Sequence, residues 1–184
     1  MPVQSVSDIV YASAISHQMN ALGVVYDSSS SASHDQFIHH QKFVLLMQAN
    51  REEIQRCASQ KIPIILRVNS LQEAFDTFKM SSVKIILLVA RGNVPFIDYG
   101  WMGKAYEEKK SVIFSLQELQ RAFATKDAST LQEYLKMAQL VYKSNVPLGL
   151  VSFAREEKDM LSHEEVVSWA AYLGIPSLSV HWYL

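Results

Sequence analysis

Short apolar runs alternate along this chain with stretches whose apolar residues recur at helical spacing. Near the start, Ser7 and Asp8 read as a helix cap before Ile9, Ala12, Ile15 and Met19, which predicts a helix to about Asn20. After Gly23, the run Val24, Val25, Tyr26 predicts a buried strand. Residues 43–47 (FVLLM) predict a second strand, and Asn50 caps a helix running to about Gln60. Pro63 opens a third strand over residues 64–66, and Ser70 with Glu73 forms a capping box for the helix that follows. Residues 83–89 (VKIILLV) are the clearest strand, and their near-continuous apolar character predicts burial on both faces, as in a parallel sheet.

Beyond the break at Arg91, Gly92 and Asn93, residues 97–109 are helix-like and residues 111–114 predict a fifth strand. A long amphipathic helix is expected over residues 129–144, apolar at Leu131, Leu135, Ala138, Leu140 and Val141. Residues 147–151 predict a sixth strand, Ser162 caps a helix that stops at Gly174, and residues 178–182 predict a final short strand. The serine-rich stretch 27–33 (DSSSSAS) is expected to be a flexible loop. Strands alternating with helices imply βα units and a parallel sheet, hence the α/β class. Six or seven strands fit an open doubly wound sheet or a compact barrel.

Composition narrows the function more than the fold. A chain of 184 residues, 49 % hydrophobic and 19 % charged, fits one globular domain spanning residues 1–184. The formal net charge of −1 supplies no overall field for attracting polyanions, which leaves room only for a local basic patch. Cys57 is the lone cysteine, so a disulfide within the chain and a multi-cysteine zinc site are both excluded, and it reads as a packing residue on a helix rather than a nucleophile. No run reaches the ~18 apolar residues of a membrane helix. The N-terminus lacks a basic segment followed by an apolar core, so a cytoplasmic protein with no membrane partner is expected.

In parallel α/β proteins, functional side chains gather just past the carboxyl ends of strands. Those positions here are Asp27 with its serines, Gln48, Arg67 to Asn69, Ala90 to Asn93, Ser115, and Ser152 to Arg155; they hold no convergent set of acids and histidines. No glycine-rich phosphate loop occurs among the six glycines, and no G-x-S-x-G elbow is present. His34, His39 and His40 lie close together, but the adjacent pair would point to different faces; His163 opens a helix and His181 lies near the chain end. Surface or structural histidines are therefore expected, with no metal site. The aromatic residues Phe96, Tyr99, Trp101 and Tyr106 read as core packing, and the run Glu107, Glu108, Lys109, Lys110 as a solvated helix end.

The C-terminal third is more specific. Residues 131–154 (LQEYLKMAQLVYKSNVPLGLVSFA) resemble the protein component 3 family of archaeal and eukaryotic ribonuclease P. In that family a basic helix ends in an (R/K)-K-(Y/S)-N-V-P step into a strand finishing Ser-Gly-Ala. Downstream, residues 158–162 (KDMLS) and the helix to Leu173 and Gly174 are similar to the family's D-L-R-S-P-R-D segment and its helix ending in Leu-Gly. Upstream, residues 111–116 (SVIFSL) resemble its A-I-E-F-S-L strand, residues 83–87 (VKIIL) its V-D-I-L strand, residues 96–105 the helix after that, and residues 21–23 the turn after its first helix.

The resemblance implies a compact (β/α) TIM-like barrel of the polymerase-and-histidinol-phosphatase type. It implies a subunit of an endoribonuclease that removes the 5′ leader from precursor tRNA. In that enzyme the catalytic groups and Mg2+ belong to the RNA, so no catalytic residue, metal or cofactor is expected in this chain. The implied partners are the ribonuclease P RNA, protein component 2 and, for the whole complex, precursor tRNA. The family lacks the His-x-His metal motif of its hydrolytic relatives, and so does this chain. The candidate RNA-contacting cations are Arg67 and Arg91 after strands, Lys136 and Lys143 seven residues apart on the long helix, and Arg155 and Lys158 in the loop after the sixth strand. Departures stand beside these matches. The family's Ser-His falls on apolar residues at Leu88 and Val89, its Ser-Gly-Ala is Ser152, Phe153, Ala154, and its two arginines fall on Leu161 and Glu164. Each lost arginine removes a phosphate contact. Two other readings therefore stay open: a metal-dependent hydrolase of the same barrel type using the histidines, and a scaffold that binds only proteins.

Overall fold

The computed structural model describes residues 9–11, 23–27, 41–92, 97–153 and 161–175. Its frame is a seven-stranded sheet: β1 (Ile9–Tyr11), β2 (Gly23–Asp27), β3 (Gln41–Leu46), β4 (Ile64–Val68), β5 (Val83–Leu88), β6 (Ser111–Ser115) and β7 (Leu148–Val151). Every neighbouring pair is parallel, and the spatial order is the sequence order, β1 through β7. A doubly wound sheet reverses its order at a switch point. Unbroken sequential winding is that of a TIM-like (β/α) barrel.

The helices are α1 (Arg51–Ser59), α2 (Leu71–Asp76), α3 (Tyr99–Glu107), α4 (Leu116–Ala124), α5 (Ala128–Lys143) and α6 (His163–Tyr172), with a 3-10 turn at Thr77–Lys79. Alternation along the strands sorts the core into two parts. Val44, Leu46, Ile64, Leu66, Val68, Ile86, Leu88, Val112, Phe114, Leu148 and Leu150 pack against the helices, including Cys57, Trp101, Tyr134 and Ala170. The intervening residues Phe43, Leu45, Ile65, Ile85, Leu87, Ile113 and Val151 form a second cluster with Val89 and Phe153. No helical residue belongs to that cluster, yet Ile65 is 0 % and Phe43 1 % exposed. Strands curling around their own side chains bury such a face, as in the filled interior of a barrel.

Local signals account for most element ends. The Asn50 side chain accepts from the Glu52 and Glu53 N–H groups at the start of α1, and Ser162 with Glu165 forms a full capping box on α6. At α2 the box is displaced: Ser70 accepts from Glu73 N–H, but the Glu73 carboxylate reaches the Asn69 N–H, 2.8 Å away. Gly174 ends α6 with a left-handed φ of +71°. No helix among the described residues is long and apolar enough to cross a membrane.

Five expectations are corrected. The helix proposed from Ser7 begins instead as strand β1, because Ile9, Val10 and Tyr11 are β-branched or aromatic and pair with Gly23, Val24 and Val25; residues 12–20 lie outside the described residues. Helix α4 was absent from the sequence reading, although Ser115 caps it with Glu118 three residues on and Leu116, Leu119 and Ala122 are buried along it. Lys110 is not part of a solvated end. Lys109 turns left-handed (φ 54°) and Lys110 is 0 % exposed, its Nζ donating to the carbonyls of Val83 at 2.8 Å and Met80 at 3.3 Å. Of the aromatic group, Trp101 is buried but Tyr99 and Tyr106 are 59 % and 58 % exposed, so these two are not core; Phe96 lies outside the described residues. Asp27, expected to open the serine-rich loop, instead closes β2, while residues 28–33 of that loop, the strand expected at residues 178–182, and His34, His39, His40 and His181 lie outside the described residues.

Candidate functional site

The carboxyl ends of β4 and β5 meet α4 and the start of α5 around a cavity of about 360 Å³. It sits where barrel folds place their chemistry. Arg67 comes from the end of β4, Arg91 from the turn after β5, and Arg121 from the last turn of α4. Glu118, Asp127, Thr130 and Tyr134 face the same space.

Burial and hydrogen bonding assign most of the polar groups. Tyr134 is 0 % exposed, its ring set edge-on to Phe114 with centroids 5.4 Å apart. Its hydroxyl donates to Glu118 Oε2 at 2.7 Å. Burial, followed by the Glu118 charge, pushes the phenol far above its ordinary range, so it stays a donor. The other Glu118 oxygen lies 3.8 Å from Arg67, and both side chains are about one quarter exposed. Asp127 caps α5, accepting from the Thr130 N–H at 3.1 Å and hydroxyl at 2.8 Å; these bonds hold its carboxyl below the usual range.

The turn carrying Arg91 is anchored. Its backbone N–H donates to Oε2 of the buried Glu133 at 2.8 Å, and the Ser129 hydroxyl donates to the Gly92 carbonyl. Gly92 has a φ of +79°, and a Cβ there would meet Thr130 Oγ1 at 3.2 Å. The left-handed backbone and the close approach both call for glycine.

The Thr130 and Tyr134 hydroxyls are bonded to carboxylates and that of Thr125 to the carbonyls of its own helix, so each lining hydroxyl already has an acceptor. Such a set suits holding an anion better than breaking a bond. Among the described residues no three His, Cys, Asp or Glu side chains converge as metal ligands.

Of the cations expected from sequence, Arg67 and Arg91 come together in this cavity. Lys136 and Lys143 are exposed on α5, and Lys143 lies in its last turn, ~20 Å along the axis from Thr130 at 1.5 Å per residue. Arg155 and Lys158 lie outside the described residues. Arg121 was missed because α4 was missed; its signal was the Ser115 and Glu118 cap, which places Arg121 one turn beyond Glu118.

No family model matches this sequence, and no curated protein matches it. The structure does find a counterpart. Over 94 % of this chain and 84 % of the other, it aligns at a TM-score of 0.71 and 14 % identity with a chain in the cryo-EM structure of archaeal ribonuclease P with mature tRNA. The two share a fold. A crystal structure of a protein described as uncharacterized aligns over 73 % of this chain and 39 % of its own length, at a TM-score of 0.51 and 16 % identity. At these identities the likeness is one of architecture, and it agrees with the α/β barrel winding of the sheet.

Proposed function

We propose that this chain is a protein subunit of ribonuclease P, supporting a catalytic RNA in removing the 5′ leader from precursor tRNA. The observation that carries the reading is the fold shared along 94 % of the chain with a chain of an archaeal ribonuclease P complex. The resemblance of residues 131–174 to protein component 3 supports it independently, since it comes from residue identities rather than from backbone shape. In this reading the RNA carries the catalytic Mg2+ and protein component 2 is the neighbouring subunit. The chain contributes cations to phosphates at Arg67 and Arg91, with Lys136, Lys143, Arg155 and Lys158 as further contacts.

The test is purification of the protein from its own cells, sequencing of the RNA that accompanies it, and assay of the preparation on precursor tRNA. One enriched structured RNA together with release of the 5′ leader is the expected result. Pure protein free of RNA would overturn the proposal. Stoichiometric zinc or manganese in that preparation would turn attention to the hydrolase reading.

A further inference from the structure

We propose that the cavity between β4, β5, α4 and α5 binds one phosphate group of a nucleotide, with Arg91 and Arg121 as its ligands. The phosphate-binding site itself follows from the geometry; that the phosphate belongs to an RNA strand rests on the ribonuclease P reading.

Charge accounting within the cavity leads to these two arginines. Five charged side chains line it, three guanidinium groups and two carboxylates. Asp127 is occupied by Thr130 at the start of α5, and Glu118 is occupied by Tyr134 and Arg67. Arg91 and Arg121 have no carboxylate within ion-pair distance among the described residues. The walls thus carry an excess positive charge in a chain whose formal net charge is −1. The amino-terminal end of the 16-residue helix α5, whose dipole is positive there, opens onto the same space.

Preorganisation supports the assignment. Arg91 projects from a turn held by Glu133, Ser129 and the tight contact of Gly92 with Thr130, so little backbone freedom is lost when its side chain engages a ligand. Arg121 belongs to a regular helix whose buried face includes Leu119 and Ala122. Guanidinium groups give forked hydrogen bonds that match phosphate oxygens. A volume of about 360 Å³ lies at the small-ligand end of binding cavities, room for a phosphate with its sugar.

The experiment is calorimetric titration of the full-length protein at constant ionic strength with three probes: inorganic phosphate, adenosine 5′-monophosphate and a short single-stranded RNA. The variants are Arg91→Gln, Arg121→Gln and, as a charge-matched control at the opposite end of the barrel, Lys109→Gln. Circular dichroism checks that each variant is folded. Loss of one charge-assisted bond is expected to weaken binding about tenfold in either arginine variant, and to leave the control close to wild type. Adenosine monophosphate binding as tightly as the RNA would identify a free nucleotide as the ligand; RNA binding with weak monophosphate binding would identify a backbone phosphodiester. Both support the site. Equal affinities of wild type, Arg91→Gln and Arg121→Gln for all three probes, or no binding of any probe, would overturn it. The ribonuclease P reading is judged separately, by the RNA and cleavage activity that accompany the wild-type protein from its cells.

Discussion

Phe153 stands where the proposed resemblance to protein component 3 would place glycine, and its backbone conformation is one that favours glycine. The residue follows β7 with a φ of +50°, in the left-handed region, while its side chain is 4 % exposed in the barrel-interior cluster. Two opposed terms therefore act at one position. An L side chain in this conformation costs about 1–2 kcal/mol. Truncating a buried phenylalanine costs about 3–5 kcal/mol. Burial wins, so both Phe153→Ala and Phe153→Gly destabilise. Their order is the informative quantity. At ordinary positions glycine is less stable than alanine by about 0.5–1 kcal/mol, because its unfolded chain is freer. Here alanine retains the left-handed cost and glycine does not, so the difference of these two terms makes Phe153→Gly more stable than Phe153→Ala by roughly 0.7 kcal/mol. For a chain of this size that corresponds to a Tm difference of about 1.5–3 °C. Equilibrium urea denaturation of the two variants at matched m-values gives the comparison directly. Alanine equal to or more stable than glycine would refute a left-handed cost at this position.

Tyr134→Phe removes the hydroxyl that donates to the Glu118 carboxylate while leaving the ring against Phe114, and should cost about 2 kcal/mol in urea denaturation; an unchanged midpoint would mean that the bond is replaced by water without loss. Lys110 is buried, and desolvation is the main cause holding its ammonium below the ordinary 10.5, with the Glu108 charge opposing. The unfolded chain therefore binds this proton more tightly than the folded one. The Lys110 contribution to stability should rise with pH from the lowered folded value up to about 10.5, and this part of the pH profile should vanish in Lys110→Met. A profile identical in the two proteins would contradict that assignment. Lys110→Met should also cost about 1–3 kcal/mol at neutral pH, since the carbonyls of Met80 and Val83 lose their donor.

The sequence by itself determined the features that depend on neighbours a few positions away. The apolar run over residues 83–89 became β5, Asn50 and Ser162 became helix caps, and Gly174 became a left-handed stop. Each follows from a period of two or of 3.6 residues, or from one side chain reaching its own backbone. The α/β class and the parallel sheet follow from the succession of such elements. Tertiary structure decided the rest. Ile9 to Tyr11 carry a helical pattern but gain more from a ladder with β2, a partner that no local pattern reveals. Lys110 looks like a surface cation until α3 turns back and lays it beneath the carbonyls of Met80 and Val83. Arg67, Arg91 and Arg121 are spread over 54 positions and belong to three separate elements; only the sequential winding of the sheet, and α4 lying at its carboxyl end, bring them to one cavity. Hydrogen bonds across long sequence separations, such as Glu133 to Arg91, hold them there, and separations of that length leave no periodic trace in the chain.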